Sequence, residues 1–209
     1  MRITKFGHAC VRVEQDGRAL VLDPGAFTDL EAVDGAAAVL ITHEHADHWT
    51  VEHLRRNDRP IYTIAAVAEQ IRAADPAVAE RVKVVKPGEG FEAAGLEVDV
   101  IGEKHAIIHP ELPHFDNSGF LVRGDQTLFH PGDAFTDPGE RVDVLCIPVC
   151  APWSKMSEVM DYARTTDAAR YLAIHDRIYS DIGLNLVDAR VSSMVGEGAY
   201  SRPADGSDL

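Results

Sequence analysis

Cysteine is scarce in this chain, and its few thiols form no motif. Cys10, Cys146 and Cys150 are the only cysteines among 209 residues, and none of them forms a CxxC pair. An odd count without that spacing argues against a disulfide framework and against a zinc site built from thiolates. The cysteine content therefore predicts a cytoplasmic protein in a reducing environment.

Long apolar runs and an excess of positive charge are also missing. No hydrophobic stretch approaches the roughly 20 residues that a membrane-spanning helix needs. The first residues carry charges throughout, and they lack the apolar segment of a secretory signal. The formal net charge of −14 argues against a surface that grips nucleic acid through clustered Lys and Arg. We therefore expect a small-molecule substrate rather than a membrane or a nucleic acid, and the oligomeric state stays open.

What remains is the composition of a globular protein, with 45% hydrophobic and 26% charged residues. Its length suits one domain with a sizeable core, and no linker or internal repeat interrupts it. We expect a single domain over residues 1–209. The polar residues from about 197 to 209 predict a mobile tail.

Strand and helix patterns alternate along the chain. The apolar runs "AAAVLIT" and "VDVLCIPV" are typical of strands buried on both faces. Helical spacing follows in "DHWTVEHLRRND", with Asp47 at the expected N-cap, and a later helix has Ser154 or Ser157 at that position. This mixture predicts an α/β fold in which helix–sheet–sheet–helix layers bury both sheets.

The clearest chemical pattern is "ITHEHADHW", residues 41–49. His43 and His45 are two apart just beyond a predicted strand, and such residues point the same way in an extended chain. Their imidazoles can therefore bind one cation, while Asp47 and His48 can face a neighbouring position. Imidazole and carboxylate ligands without thiolate suit zinc, iron or manganese. A solvated loop rich in histidine is the alternative interpretation.

With this HxHxDH pattern the sequence resembles the metallo-β-lactamase superfamily. Three further segments are similar to that family in the same order, namely "FGHACVRVEQDGRALVLDPG", "LFHPGDAF" and "YLAIH". The resemblance extends to about residue 185 and is strongest to the short, lactonase-like metal-dependent hydrolases. It implies a four-layer αβ/βα sandwich of two mixed β-sheets flanked by helices.

The resemblance also implies a site for two divalent metal ions, with zinc as the first candidate and iron or manganese as alternatives. His43 and His45 match the histidines of the first metal. Its third ligand should be a histidine after the middle strands. His105 at a predicted strand end is preferred, and His109 and His114 in the same irregular loop are the alternatives.

The second metal is assigned by the same resemblance. Asp47, His48 and His175 match its ligands, and Asp133 in "HPGDA" matches a carboxylate shared by both metals. Asp47 is also the predicted catalytic residue, because it would orient the attacking water and accept its proton.

Several neighbouring residues have less certain roles in the sequence. Asp23 in "VLDPG" is expected to support a ligand rather than to bind metal. His8 either faces the site or is simply buried. The roles of Cys150 and Trp153 stay open between lining the pocket and packing in the core.

A dinuclear His/Asp site predicts a hydrolase in which the metals activate water. A small ester, a lactone or a phosphodiester-type substrate would each suit this chemistry. The irregular loop over residues 105–118 is the expected determinant of specificity. The alternatives are an iron-dependent oxidoreductase similar to persulfide dioxygenases and a non-catalytic metal-binding protein of the same fold.

Overall fold

Two β-sheets of seven strands each pack face to face in a computed structural model that describes residues 1–209. The first strands along the chain are β1 (Arg2–Gly7), β2 (Cys10–Gln15), β3 (Arg18–Leu22), β4 (Ala38–Ile41), β5 (Ile61–Thr63), β6 (Val82–Val84) and β7 (Gly90–Ala93). The remaining strands are β8 (Leu96–Ile101), β9 (Gly119–Arg123), β10 (Thr127–His130), β11 (Val142–Pro148), β12 (Ala168–Ile174), β13 (Tyr200–Ser201) and β14 (Ser207–Asp208). The strand order is β14-β1-β2-β3-β4-β5-β6 in the first sheet and β13-β12-β11-β10-β9-β8-β7 in the second.

Both sheets are mixed, because tight turns and helical crossovers alternate along the chain. A tight turn joins β2 to β3, which pair antiparallel, and Asp16 and Gly17 both have a positive φ there. Such a turn matches the twist of the strands that it joins. From β3 to β6 the strands pair in parallel, as crossover connections require.

Helices cover the outer face of each sheet. They are a 3-10 helix (Leu30–Val33), α1 (Val51–Arg55), α2 (Ala65–Ala74), α3 (Pro76–Ala79), α4 (Met156–Thr165) and α5 (Asp181–Val195). No helix is both long enough and apolar enough to cross a membrane.

Three apolar cores separate these layers. The central core lies between the sheets and contains Leu40 of β4, whereas Val39 and Ile41 of the same strand belong to a second core beneath the first helices. A third core packs Val159 of α4 and Val187 of α5 against the other sheet. Strand β4 is thus buried on both faces, as its apolar run predicts. The predicted four-layer αβ/βα sandwich of the α/β class is confirmed.

Two helix caps differ from the prediction. Helix α1 begins four residues after Asp47, and Thr50 is its N-cap, since the Thr50 hydroxyl accepts a hydrogen bond from the backbone N–H of His53. The Asp47 side chain lies near His8 and does not cap the helix. In α4 the N-cap is Lys155, so neither Ser154 nor Ser157 occupies it.

The C-terminal residues, for which the sequence predicts a mobile tail, pair with both sheets. Strand β13 lies parallel to β12, and β14 lies antiparallel to β1. This pairing cannot be predicted from the polar composition of the tail, because it depends on the free backbone groups of the edge strands β1 and β12. The tail thus completes one edge of each sheet.

A buried lysine also holds the tail in place. Lys5 is only 1% exposed, and its Nζ lies 2.8 Å from Asp205 Oδ1 and 2.9 Å from Asp176 Oδ2. A buried ammonium requires such partners, because its desolvation is otherwise uncompensated. Asp205 therefore fixes the tail against β1 by charge as well as by strand pairing.

We expect the Asp205→Ala variant to have a free energy of unfolding about 1–3 kcal/mol below that of the wild type, since it removes a charged hydrogen-bond partner of Lys5. Denaturant titration measures this change. Glu197→Ala, an exposed tail residue, is the matched control and should stay within about 0.5 kcal/mol of the wild type. Equal stability of the two variants would contradict the proposed role of the Lys5 ion pair.

Candidate metal centre

The predicted ligands gather at one end of the two sheets, in loops that follow strands. They form two clusters in which the candidate ligand atoms lie within 4.8 Å of one another. The first cluster comprises His43, His45, His105 and Asp133, and the second comprises His8, Asp47, His48 and His175.

The three candidate histidines of the 105–118 loop occupy different positions in the structure. His105 lies in the first cluster, whereas His109 and His114 lie outside both clusters. His114 instead approaches the backbone carbonyl of His105, with its Nε2 at 2.8 Å. His8, whose place the sequence leaves open, joins the second cluster.

Asp133 lies between the clusters. Its Oδ2 is 3.1 Å from His175 Nε2 and 3.3 Å from His105 Nε2. Its Oδ1 is 3.1 Å from His48 Nε2. The carboxylate therefore faces both clusters at once, which is the geometry that a shared ligand needs.

Most of the clustered histidines are held by a hydrogen bond at Nδ1. The Nδ1–H groups of His43, His48, His105 and His175 are placed to donate to the Thr42 hydroxyl (3.0 Å), Asp23 Oδ2 (2.7 Å), the Ala106 carbonyl (2.5 Å) and the Cys150 carbonyl (2.6 Å), respectively. This arrangement fixes the tautomer and leaves Nε2 free to bind a cation. His45 differs, because its Nδ1 is the nitrogen near His43 Nε2, at 3.1 Å.

Asp23 supports this arrangement from behind, as the sequence predicts. It is fully buried and accepts hydrogen bonds from the backbone N–H of Thr42 (2.8 Å), the Thr42 hydroxyl (2.7 Å) and His48. Both oxygens of Asp23 are used in these hydrogen bonds. Asp23 therefore orients His48 directly and His43 through the Thr42 hydroxyl, and it does not belong to either cluster.

The unpaired atoms of the site test whether a metal ion fits. His48 Nε2, His105 Nε2 and Asp133 Oδ1 are buried, and although His48 Nε2 approaches Asp133 Oδ1 and His105 Nε2 approaches Asp133 Oδ2, none of the three atoms makes a hydrogen bond of acceptable geometry. Leaving a buried polar atom unpaired costs about 1–3 kcal/mol. A divalent cation between these atoms would satisfy them, and imidazole with carboxylate is a donor set that zinc, iron and manganese accept. The residues therefore fit the metal ions that the sequence predicts.

The close packing of these groups shifts their pKa values in opposite directions. Burial disfavours the charged form of His48, but the carboxylates of Asp133 and Asp23 outweigh it and raise its pKa to about 10. Burial also disfavours ionisation of Asp133, yet His175 and His48 hold its pKa well below the usual range. For His43 burial dominates and lowers the pKa.

Two residues that position Asp133 are not evident from the sequence. Asn117 Oδ1 accepts the backbone N–H of Asp133 at 3.0 Å, and its Nδ2 donates to the Pro131 carbonyl. Gly132 has a φ of +64°, and a Cβ there would lie 2.2 Å from Asn117 Oδ1. Only glycine fits this position. The Pro-Gly pair before Asp133 is the one sequence signal of this constraint.

Cys150 and Trp153, whose roles the sequence leaves open, lie in different positions relative to the site. The Cys150 thiol is buried in the third core, and its carbonyl contacts the site through His175. Trp153 Nε1 donates to Asp133 Oδ2 at 3.0 Å, so its indole lies at the site. The other tryptophan, Trp49, packs in the core beneath the first helices.

Comparison with known proteins agrees with this fold. A family model described as a beta-lactamase superfamily domain matches residues 2–175. The protein Rv0786c of Mycobacterium tuberculosis is 38% identical over 205 residues, which cover 93% of this chain and 92% of that protein. A protein of Geobacillus thermodenitrificans, named a UPF0173 metal-dependent hydrolase, is 30% identical over 173 residues, with 71% and 73% coverage.

A solved structure extends the similarity to the whole fold. The metallo-beta-lactamase fold protein YhfI from Bacillus subtilis superimposes with a TM-score of 0.76 at 14% identity, covering 100% of this chain and 98% of that chain. Since the family model also covers most of the chain, this protein belongs to the metallo-β-lactamase superfamily.

The carboxylate of Asp23 should control the protonation of His48. In the metal-free protein, we expect Asp23→Asn to lower the pKa of His48 from its raised value, because one of the two charges that favour the imidazolium is lost. A titration of the histidine ring protons by NMR measures this shift. Asp16→Asn, a change in the exposed β2–β3 turn, is the control. An unchanged His48 pKa in Asp23→Asn would refute the assignment.

Proposed function

We propose that the protein is a metal-dependent hydrolase that cleaves a small ester, lactone or phosphodiester-type substrate at a dinuclear site, with zinc as the first candidate metal. The observation that carries this proposal is the position of the Asp133 carboxylate, which faces ligand atoms of both clusters at 3.1–3.3 Å. The name of the Geobacillus relative supports the same reaction class.

Each cluster would hold one cation. His43, His45 and His105 would bind the first, Asp47, His48 and His175 the second, and Asp133 both. A divalent cation bound there supplies Lewis acidity, which polarises a carbonyl or phosphoryl oxygen and lowers the pKa of water from 15.7 to about 7.

Asp47 is the carboxylate best placed to contact the attacking water. Its side chain is 22% exposed, whereas that of Asp133 is 2% exposed, so Asp47 reaches the solvent-facing side of the site. Burial alone would raise its pKa, but hydrogen bonds with His175 and His8 lower it overall. Asp47 is therefore ionised near neutral pH, so it can accept a hydrogen bond from the attacking water and orient it, whereas its lowered pKa makes it a weak acceptor of the proton itself.

We expect His43→Ala and Asp133→Ala to lose metal-dependent turnover by more than about 100-fold, since even residues that only support a ligand are worth about 10–100-fold. The measurement is turnover of metal-loaded protein on an aryl ester, a lactone, a thioester, a β-lactam and bis(p-nitrophenyl) phosphate. Circular dichroism checks that both variants remain folded.

His109→Ala is the matched control, because this histidine lies in the same loop as His105 but outside both clusters. It should retain turnover. Equal activity of the metal-free and metal-loaded proteins would rule out the proposal. Oxygen consumption by the iron-loaded protein, without hydrolysis, would instead support the oxidoreductase alternative.

A further inference from the structure

We propose that the substrate is an uncharged carbonyl compound, an ester, thioester or lactone, with an apolar group beside the bond that is cleaved. This inference rests on the proposed hydrolase and narrows its substrate class. It is carried by the aromatic rings around the two clusters and by the pairing of the nearby cations.

Aromatic side chains from three separate loops contact the histidines of the site. The Phe27 ring lies edge-on to His8 at a centroid distance of 5.1 Å, and Phe115 lies edge-on to His45 at 4.8 Å. The Trp153 ring lies edge-on to His105 at a centroid distance of 5.5 Å. Phe27, Phe115 and Trp153 together form what we call the aromatic rim.

The loops that carry cluster residues also expose aliphatic side chains. Ile107 and Leu112, between β8 and β9, are 62% and 51% exposed, and Ile178, just after His175, is 45% exposed. Ile107 and Ile178 follow the cluster residues His105 and His175 closely in the chain, and exposed apolar residues next to a polar site are typical of a binding surface. These residues can cover an alkyl or aryl group of a bound substrate.

The basic residues of the same loops are mostly neutralised. Lys104 Nζ lies 2.5 Å from Asp116 Oδ1, and Arg177 forms an ion pair with Asp205. Lys155 forms no ion pair, but one exposed ammonium is a weak anchor for an anionic group. With a net charge of −14, the protein offers little that would attract a charged substrate. An uncharged substrate is therefore favoured over a phosphodiester.

The first experiment compares metal-loaded protein on p-nitrophenyl acetate, p-nitrophenyl butyrate and bis(p-nitrophenyl) phosphate. Burial of two additional methylene groups should raise kcat/KM about tenfold from acetate to butyrate, and the phosphodiester should be the poorest substrate. Phe27→Ser and Phe115→Ser should each lower the ratio of kcat/KM for butyrate to that for acetate. Leu186→Ser, which changes an exposed residue of α5 (58% exposed), is the matched control and should preserve it.

A second measurement does not depend on catalysis. In a Trp49→Phe background Trp153 is the sole tryptophan, and its fluorescence should respond to hexanamide at lower concentration than to acetamide or hexanoate. No hydrolysis of any substrate, with this binding preference intact, would overturn the proposed function. Hydrolysis without a preference for butyrate, or best hydrolysis of the phosphodiester, would overturn the apolar substrate while leaving the hydrolase in place.

A different observation concerns His8, which the geometry assigns as a positioning residue for Asp47. His8 Nε2 lies 3.1 Å from Asp47 Oδ2, and His8 Nδ1 accepts the backbone N–H of Arg177 at 3.3 Å. A backbone N–H can only donate, so Nδ1 carries no proton and Nε2 of the neutral ring does. His8 therefore donates to Asp47 and has no lone pair to offer a metal at Nε2.

The backbone fixes His8 in this position. Its φ is +48°, in the left-handed region, and its carbonyl accepts the N–H of His175 at 2.9 Å. Before it, Gly7 has a φ of +110°, and a Cβ there would lie 2.8 Å from the Phe27 carbonyl. The turn between β1 and β2 thus holds the ring beside Asp47.

A pair of substitutions separates positioning from ligation. The amide of His8→Gln can still donate to Asp47, whereas His8→Leu cannot. We expect His8→Leu to weaken binding of the second equivalent of Zn²⁺ by about 10–100-fold, as measured by chelator competition, and His8→Gln to restore most of it. Equal weakening in both variants would make His8 a ligand, and unchanged affinity in His8→Leu would leave it no role; either result overturns the assignment.

Discussion

The buried carboxylate of Asp133 is the group on which the site depends most. It is 2% exposed and faces imidazoles that come from both sheets. A carboxylate in such surroundings is stable only when its partners are held at hydrogen-bonding or ligand distance. Asp133 therefore joins groups from both sheets, whose relative position is set by the apolar core between them. Asn117 and Trp153 fix its backbone and one oxygen, so its orientation does not depend on solvent.

Backbone conformation is the second constraint. His8, Asp23 and His175 all have φ values between +48° and +58°, which is unusual for residues other than glycine. Such conformations cost about 1–3 kcal/mol each and persist where the surrounding structure enforces them. Each of these residues follows a strand whose pairing is extensive, and each turns its side chain sharply toward the site. The regular sheets thus offset the strain that the site requires.

The sequence predicts the site best where geometry is local. The spacing of His43, His45, Asp47 and His48 needs only the periodicity of a strand and the turn after it. The sequence prefers His105 because it lies at a predicted strand end, but the positions of His109 and His114 depend on the path of an irregular loop that only the structure shows. The Cys150 carbonyl could not be predicted at all, because any residue has a carbonyl. Likewise, polar composition predicts a mobile tail from residue 197, but the edge strands that bind it are distant in sequence.

Electrostatics and apolar contacts at this site reinforce each other. Asp23, Asp47 and Asp133 place carboxylates among imidazoles, and the excess of acidic residues elsewhere gives the whole protein a negative charge. That charge favours the arrival of cations and disfavours anionic substrates. The rings of the aromatic rim lie against His8, His45 and His105, and charge interactions are stronger where apolar groups take the place of water. The same rings that would hold an apolar substituent therefore also strengthen the attraction between the ligand carboxylates and a divalent cation.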